Sequence, residues 1–323
     1  MKLRVIHETV YHYSPAVQNA QHMAHLRPRT GVVQRVLTHS LQVNPAPTQC
    51  NMVQDVFGNT RTFFSLPFTH EQLRVRSESL LETLPVPTAP PGEPWEAVRE
   101  RLGYRRGQPY HAATEFSFAS PYIPRHADFV AYARESFAPG RPLMEAASHL
   151  MSRIHADFAY TSNATDAGTP ALESLRLRRG VCQDFAHVMI GCLRSLGLAA
   201  RYVSGYLLTE PPPGQPRLVG ADASHAWVSV WSPAAAEDGD TSEGEEWFDL
   251  DPTNDRAAGE DYVTLAIGRD FSDVSPLRGV IHGGDHHVLQ VAVTVEPVPA
   301  TATPAVAEPA PALTPPQAPE NPG

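Results

Sequence analysis

The sequence predicts an α+β fold: a β-rich N-terminal region, followed by a core in which a cysteine-carrying helix packs on an antiparallel sheet. Three observations carry this. Apolar and polar residues near the N-terminus alternate with period two. After a proline cluster the period becomes helical. The last strand-like segments then follow the helices in a run, the order expected of an antiparallel sheet beside helices.

The elements follow in chain order. Leu3, Val5, His7, Thr9, Tyr11 and Tyr13 alternate with Lys2, Arg4 and Glu8, and segments 36–43 and 61–68 are rich in Val, Leu, Phe and Thr. Asp55-Val56-Phe57-Gly58-Asn59 between them supplies turn chemistry. Residues 1–84 thus read as a small β-domain without a cluster of catalytic residue types. Pro85, Pro87, Pro90, Pro91 and Pro94 make 85–94 a stiff linker. Beyond it, Leu143, Ala146, Ala147, Leu150, Met151 and Ile154 fall at helical spacing. Val181, Phe185, Val188, Met189, Cys192, Leu193 and Leu196 form a second helical stripe, with Gly180 before it and Gly197 where a left-handed C′ residue belongs. Segments 200–209, 225–231, 247–251 and 288–295 read as strands, so 95–295 is expected to be one domain with a C-terminal strand. Residues 296–323 hold nine prolines and almost nothing large and apolar, the composition of a disordered tail.

Composition narrows the function classes. The chain has 323 residues, 42% of them hydrophobic, which supports a real core. Its 35 acidic and 25 basic residues leave a net charge of −10, a poor match for nucleic acid. There is no apolar run of about 18 residues that could span a membrane. MKLRVIHETVYHY lacks the apolar stretch of a secretory signal. With three cysteines that cannot form a disulfide framework, the expectation is a cytoplasmic protein with free thiols.

Cys182 is the most informative residue. It opens the second helix, where free N–H groups and the positive dipole end stabilise a thiolate. Cys192 lies mid-helix on the apolar stripe, where a small core residue is expected, and Cys50 receives the same reading. A reactive thiol needs a base. His225 starts an alternating strand and shares a face with Trp227, Ser229 and Trp231. His187 lies about 140° around the helix from Cys182 and faces elsewhere. His282, His286 and His287 have near-metal spacing but no matching Cys or carboxylate pattern. The base needs an orienting acceptor. Asp249 and Asp251 of the next strand share a face, so alternation cannot choose between them. Between the two strands, 237–246 carries six carboxylates and no Lys or Arg, without the ligand order of a calcium loop. If the two strands form a hairpin, His225 and Asp251 meet at the end away from this insertion.

GVCQDFAH (180–187), LGLAARYVSGY (196–206), DASHAW (222–227) and DPTN (251–254) resemble the transglutaminase-like cysteine-enzyme superfamily. The opening strand, LRPR (26–29) and GRDFSDVSPLRG (268–279) are similar to bacterial members with a β-rich N-terminal domain. The resemblance covers about 1–295. It implies a papain/transglutaminase-like core with catalytic Cys182, His225 and Asp251. It implies chemistry at amide bonds through an acyl-enzyme thioester, with a peptide or amide as substrate. Because 237–246 lacks the ligand order of a calcium loop, activity is expected without a metal or cofactor. Gln183, Tyr160 and Trp227 are weaker oxyanion or substrate candidates, and Asp184 is read as a helix cap. Peptidase or isopeptidase action is favoured slightly over acyl transfer to an amine, with a non-catalytic binding module as the third reading. Related bacterial proteins often occur beside ATP-grasp-type ligases, which makes such a ligase an expected partner.

Overall fold

The computed structural model describes all residues except 87, 90–91, 105, 108–110, 163, 210–223, 234–246 and 300–323. The acidic insertion at 237–246 and most of the proline-rich tail therefore lie outside the described residues.

The N-terminal region builds one curled antiparallel sheet from β1 (Lys2–Ala24), β2 (Gln34–Asn44), β3 (Gln49–Gln54), β4 (Thr60–Leu66) and β5 (His70–Thr83), in the order β2-β5-β1-β4-β3. The period-two pattern of β1 places Leu3, Val5, His7 and Thr9 on a buried face. A register shift between His12 and Val17 lets its two halves pair differently.

The helical region follows: α1 (Trp95–Arg101), a 3-10 turn (Ala112–Ser117), α2 (Ala127–Ala133), α3 (Leu143–Asp157), β6 (Ala159–Tyr160), α4 (Ala171–Leu177), β7 (Arg179–Gly180) and α5 (Cys182–Ser195). Helix α5 is the axis of the core. Its predicted stripe is buried from Phe185 to Leu193, while the stripe's ends, Val181 and Leu196, are partly buried and cap the helix. Every residue from Gln183 to Arg194 is buried, because α2, α3 and α4 cover the side away from the sheet. Gly191 makes room for this: a Cβ there would sit 2.8 Å from the Phe129 ring of α2. Arg194, buried in the last turn of the helix, donates to the carbonyls of Phe116, Ala200 and Arg269. Gly197 ends the helix at φ +85°, as its position predicts.

A five-stranded antiparallel sheet supports α5. Its strands are β8 (Ala200–Leu207), β9 (Ser224–Trp231), β10 (Trp247–Asp251), β11 (Arg256–Ala257) and β12 (Tyr262–Gly268), in the order β11-β10-β9-β8-β12. After α6 (Phe271–Val274), β13 (Leu277–Gly283) and β14 (His286–Pro297) run back along β1.

The last step corrects the sequence reading. The strand expected at 288–295 exists within β14, but its partner is β1, from Leu3↔Pro297 to Ser14↔His286. It belongs to the N-terminal sheet, not to the sheet under α5. The strand also reaches Pro297, and Val298 N–H donates to Lys2 O, so the first residues assigned to the tail are ordered by β1. Alternation in 288–295 marks a strand but carries no information on which sheet receives it. Among the described residues no helix is long and apolar enough to cross a membrane.

Candidate active site

Cys182 is the first residue of α5, with Val181 as the extended N-cap residue. The local sequence fixes this start. Asp184, buried at the third helical position, accepts from Val181 N–H (2.9 Å), the Thr165 hydroxyl (2.6 Å) and the Ser174 hydroxyl (2.7 Å). It ties α4 and the 165 loop to the helix entrance and does the capping work foreseen for it. Gly180 is needed for this approach, since a Cβ there would sit 2.4 Å from the Asp184 carboxylate. The half-buried thiol of Cys182 therefore stands over the positive end of a held helix.

Strand β9 brings His225 beside it. His225 Nε2–H donates to Asp251 Oδ2 at 2.6 Å, and the imidazole lines the same cavity as the Cys182 thiol, whose proximity helps to raise its pKa. With Nε2 given to the carboxylate, Nδ1 is the nitrogen left for sulfur. The hairpin register explains the meeting. Trp231 pairs with Trp247 and Val228 with Leu250, so His225 and Asp251 lie at the end away from the connecting segment.

Asp251 is fully buried and well supplied with donors. Its Oδ1 accepts from the backbone of Thr253 (2.8 Å) and Asn254 (3.3 Å); its Oδ2 accepts from Asn254 Nδ2 (2.7 Å) and the Tyr262 hydroxyl (2.8 Å). Burial pushes the Asp251 carboxyl up, but His225 and these donors outweigh it and hold it below the ordinary value. Burial pulls His225 down, and its neighbours Asp251 and Cys182 overcome that and raise it to about 10. A proton therefore rests on this imidazole at neutral pH.

The remaining predicted residues divide. Tyr160 is brought to the site by the β6–β7 bridge, opposite Gly180; burial and the charge of Cys182 both raise its phenol. Gln183 lines the same cavity, with its side-chain nitrogen donating to Ala167 O at 3.0 Å. Trp227 does not reach the cavity. It is fully buried, its indole N–H is given to Asp249 Oδ2 (2.9 Å), and its ring packs edge-on against Tyr262. It packs beside His225 and leaves no donor for a substrate. Cys192 is buried and its thiol pushed far up by burial, whereas Cys50 is exposed on β3, unlike the packed residue expected there. His187 is buried and accepts from Phe271 N–H (3.2 Å). His282 ends β13, and His286 and His287 open β14.

Sequence reasoning passed over Asn254 and Tyr262, the two side chains that complete the Asp251 environment. A signal for Asn254 existed, because an Asp followed by Pro with Asn three residues on predicts a turn closed by that aspartate. Tyr262 had none.

Cys182 and His225 open on a cavity of about 470 Å³. Its other side comes from the N-terminal sheet, through His7, Thr9 and Tyr11 of β1 and Leu289 and Val291 of β14.

Comparison with known proteins agrees with this architecture. Residues 3–82 match the bacterial transglutaminase-like N-terminal region, and 130–252 match the transglutaminase-like superfamily. An uncharacterized protein of Mycobacterium tuberculosis is 42% identical over 305 residues, which span 92% of this chain and 93% of that one. A protein-glutamine gamma-glutamyltransferase of Pseudomonas aeruginosa is 31% identical over 173 residues, 49% of this chain and 24% of that protein. The crystal structure of a candidate cysteine protease from Cytophaga hutchinsonii superposes with a TM-score of 0.70 at 18% identity, covering 94% of this chain and 93% of the other. With its two regions matched in order and a relative of this identity along nearly its whole length, the chain belongs to the transglutaminase-like superfamily, among the bacterial members that carry the transglutaminase-like N-terminal region.

Proposed function

We propose that the protein is a thiol enzyme that opens amide bonds, with Cys182 as nucleophile, His225 as proton carrier and Asp251 as the residue that orients and charges the imidazole. The observation that carries this is the His225–Asp251 hydrogen bond in the cavity that Cys182 lines at the N-terminus of α5. The thiol proton rests on His225 and the thiolate attacks the amide carbonyl carbon. The oxygen takes the negative charge, facing the N–H of Cys182, which no helical carbonyl uses. The C–N bond breaks as His225 gives its proton to the leaving amine, and a thioester remains. Water then attacks the thioester carbon and loses its proton to His225. The C–S bond breaks, a carboxylic acid leaves, and the thiolate is restored.

Hydrolysis is the preferred outcome, because the cavity is open to solvent around Tyr160, which is 58% exposed. The second reading replaces water by an amine and yields a new amide. The likeness of half the chain to the Pseudomonas aeruginosa gamma-glutamyltransferase favours that alternative.

Replacing Cys182 by Ala tests the shared part. Amide cleavage and transfer should both vanish while stability changes by no more than about 1–2 kcal/mol. Retained activity would end the reading. In the wild type, iodoacetamide should label Cys182 faster than the exposed Cys50, while the buried Cys192 stays unlabelled. Adding a primary alkylamine to the assay and weighing acid against amide product separates the two outcomes.

A further inference from the structure

The side of the cavity facing Cys182 is built by the N-terminal sheet, and its register is informative. Tyr11 pairs with Leu289 and Thr9 with Val291, so these four side chains stand on one face of neighbouring strands. The same stripe of β14 continues through Val293 and Val295. Those two are 1% and 0% exposed, sealed against Tyr206, Val263 and Leu265 of the five-stranded sheet. Val291 and Leu289, one and two steps back along the stripe, are 50% and 49% exposed. The two sheets part at this point, and the apolar stripe that joins them runs on uncovered into the cavity holding Cys182 and His225.

The wall is also uncharged. Among the described residues lining the cavity there is no Lys, Arg, Asp or Glu. His7 stands with Nδ1 3.0 Å from the Tyr206 hydroxyl and Nε2 3.1 Å from the Thr9 hydroxyl, and burial lowers its pKa to about 4, so it is neutral. Tyr206, His7 and Thr9 hold three protons and make two hydrogen bonds with each other. One hydroxyl proton is left to donate outward.

We propose that Leu289, Val291 and Tyr11 seat an apolar side chain of the substrate beside the reacting amide, so that the N-terminal sheet selects which amides reach Cys182. This rests on the thiol-enzyme reading above and names its substrate class: a peptide or peptide conjugate with an aliphatic or aromatic residue next to the bond opened. A charged neighbour would lose its hydration against Leu289 and Val291 without gaining a counter-charge there.

Alkylation of the intact chain tests this without an assay of turnover. Two reagents with the same leaving group are compared, iodoacetamide and N-benzyl iodoacetamide, and modification of Cys182 and Cys50 is followed by mass spectrometry in one tube. Cys50 reports the intrinsic reactivity of each reagent. Relative to Cys50, Cys182 should prefer the benzyl reagent by about tenfold or more. Val291→Thr and Leu289→Gln, neutral and close in size so that the thiolate feels no new charge, should each cut that preference several-fold and leave the iodoacetamide rate unchanged. Thermal melts confirm that both variants fold. Absence of the preference in the wild type, or a preference that survives in both variants, overturns the subsite. If Cys182 reacts with plain iodoacetamide no faster than Cys50, the thiol-enzyme reading itself falls, and the subsite falls with it.

Discussion

Two histidines border one cavity and carry opposite charge states. His225 is raised to about 10 and His7 lowered to about 4, although burial pulls both down. The difference is the partner. His225 gives its Nε2–H to a buried carboxylate, so its imidazolium is compensated. His7 meets two neutral hydroxyls, and nothing offsets the cost of burying its charge. The five-stranded sheet under α5 thus supplies a charged wall beside Cys182, and the N-terminal sheet an uncharged one.

The comparison breaks most sharply at Asp251. Asp251→Asn removes the counter-charge and leaves an amide that can present either end to the ring. Turnover should fall by about 10⁴, the cost of a misdirected tautomer in a comparable triad. The His225 pKa, followed by NMR, should drop far below about 10. Turnover within tenfold of wild type would show that His225 does not depend on this carboxylate.

The charged wall was largely legible in the sequence and the uncharged one was not. Cys182 announces itself because a helix start is a local signal, set by Gly180, an apolar stripe and Gly197. His225 and Asp251 stand at strand ends, but it is the resemblance carried by DASHAW (222–227) and DPTN (251–254) that singles them out. His7, Thr9, Leu289 and Val291 sit in equally regular strands, yet alternation states only that they share a face. That this face meets the cavity depends on β14 pairing with β1, which joins Thr9 to Val291 and Tyr11 to Leu289 from opposite ends of the chain. No local pattern encodes such a pairing. Asp249 and Asp251 show the same limit at short range: the period placed both on one face, and only the resemblance of DPTN (251–254) to the family chose Asp251.

The next largest effect is expected at Gly205, the residue of β8 paired with His225. A Cβ there would lie 2.1 Å from Val263 O and 2.4 Å from the Trp227 ring. Neither the backbone of β12 nor the fully buried Trp227 can yield cheaply. Gly205→Ala should cost about 1–3 kcal/mol or more in urea unfolding, and should lower turnover as Trp227 pushes on His225. A variant as stable as wild type would mean that the two strands are spaced more loosely than described.

Smaller effects should appear in the dependence of melting temperature on pH. His225 has a folded pKa above its unfolded value near 6.5. Its contribution is therefore fully present below about 6.5 and lost as pH rises toward about 10. His7 is shifted the other way, so its contribution is present above about 6.5 and lost as pH falls toward about 4. Asp251, held below the ordinary carboxyl value, adds to the acid limb as pH falls through its folded pKa. Asp251→Asn should flatten the alkaline limb and His7→Gln the acid one. An alkaline limb unaltered in Asp251→Asn would contradict a charged His225.

The smallest effect is expected at the neighbour of Asp251. Asp249 lies on the same face of β10, two residues before Asp251, and accepts the Trp227 indole N–H at 2.9 Å. An asparagine there keeps an oxygen for that bond, so Asp249→Asn should hold stability within about 0.5 kcal/mol and leave turnover close to wild type. Asp249→Leu removes the acceptor and strands a buried N–H, which should cost about 1–3 kcal/mol. Because Trp227 packs 6.1 Å from the His225 ring, centroid to centroid, that variant should also lose some activity through the position of the imidazole. Turnover measured for Asp249→Asn and Asp251→Asn side by side decides the assignment. A collapse at Asp249 with little change at Asp251 would mean that the histidine draws on the other carboxylate, and the orienting role would pass from the end of β10 to its middle.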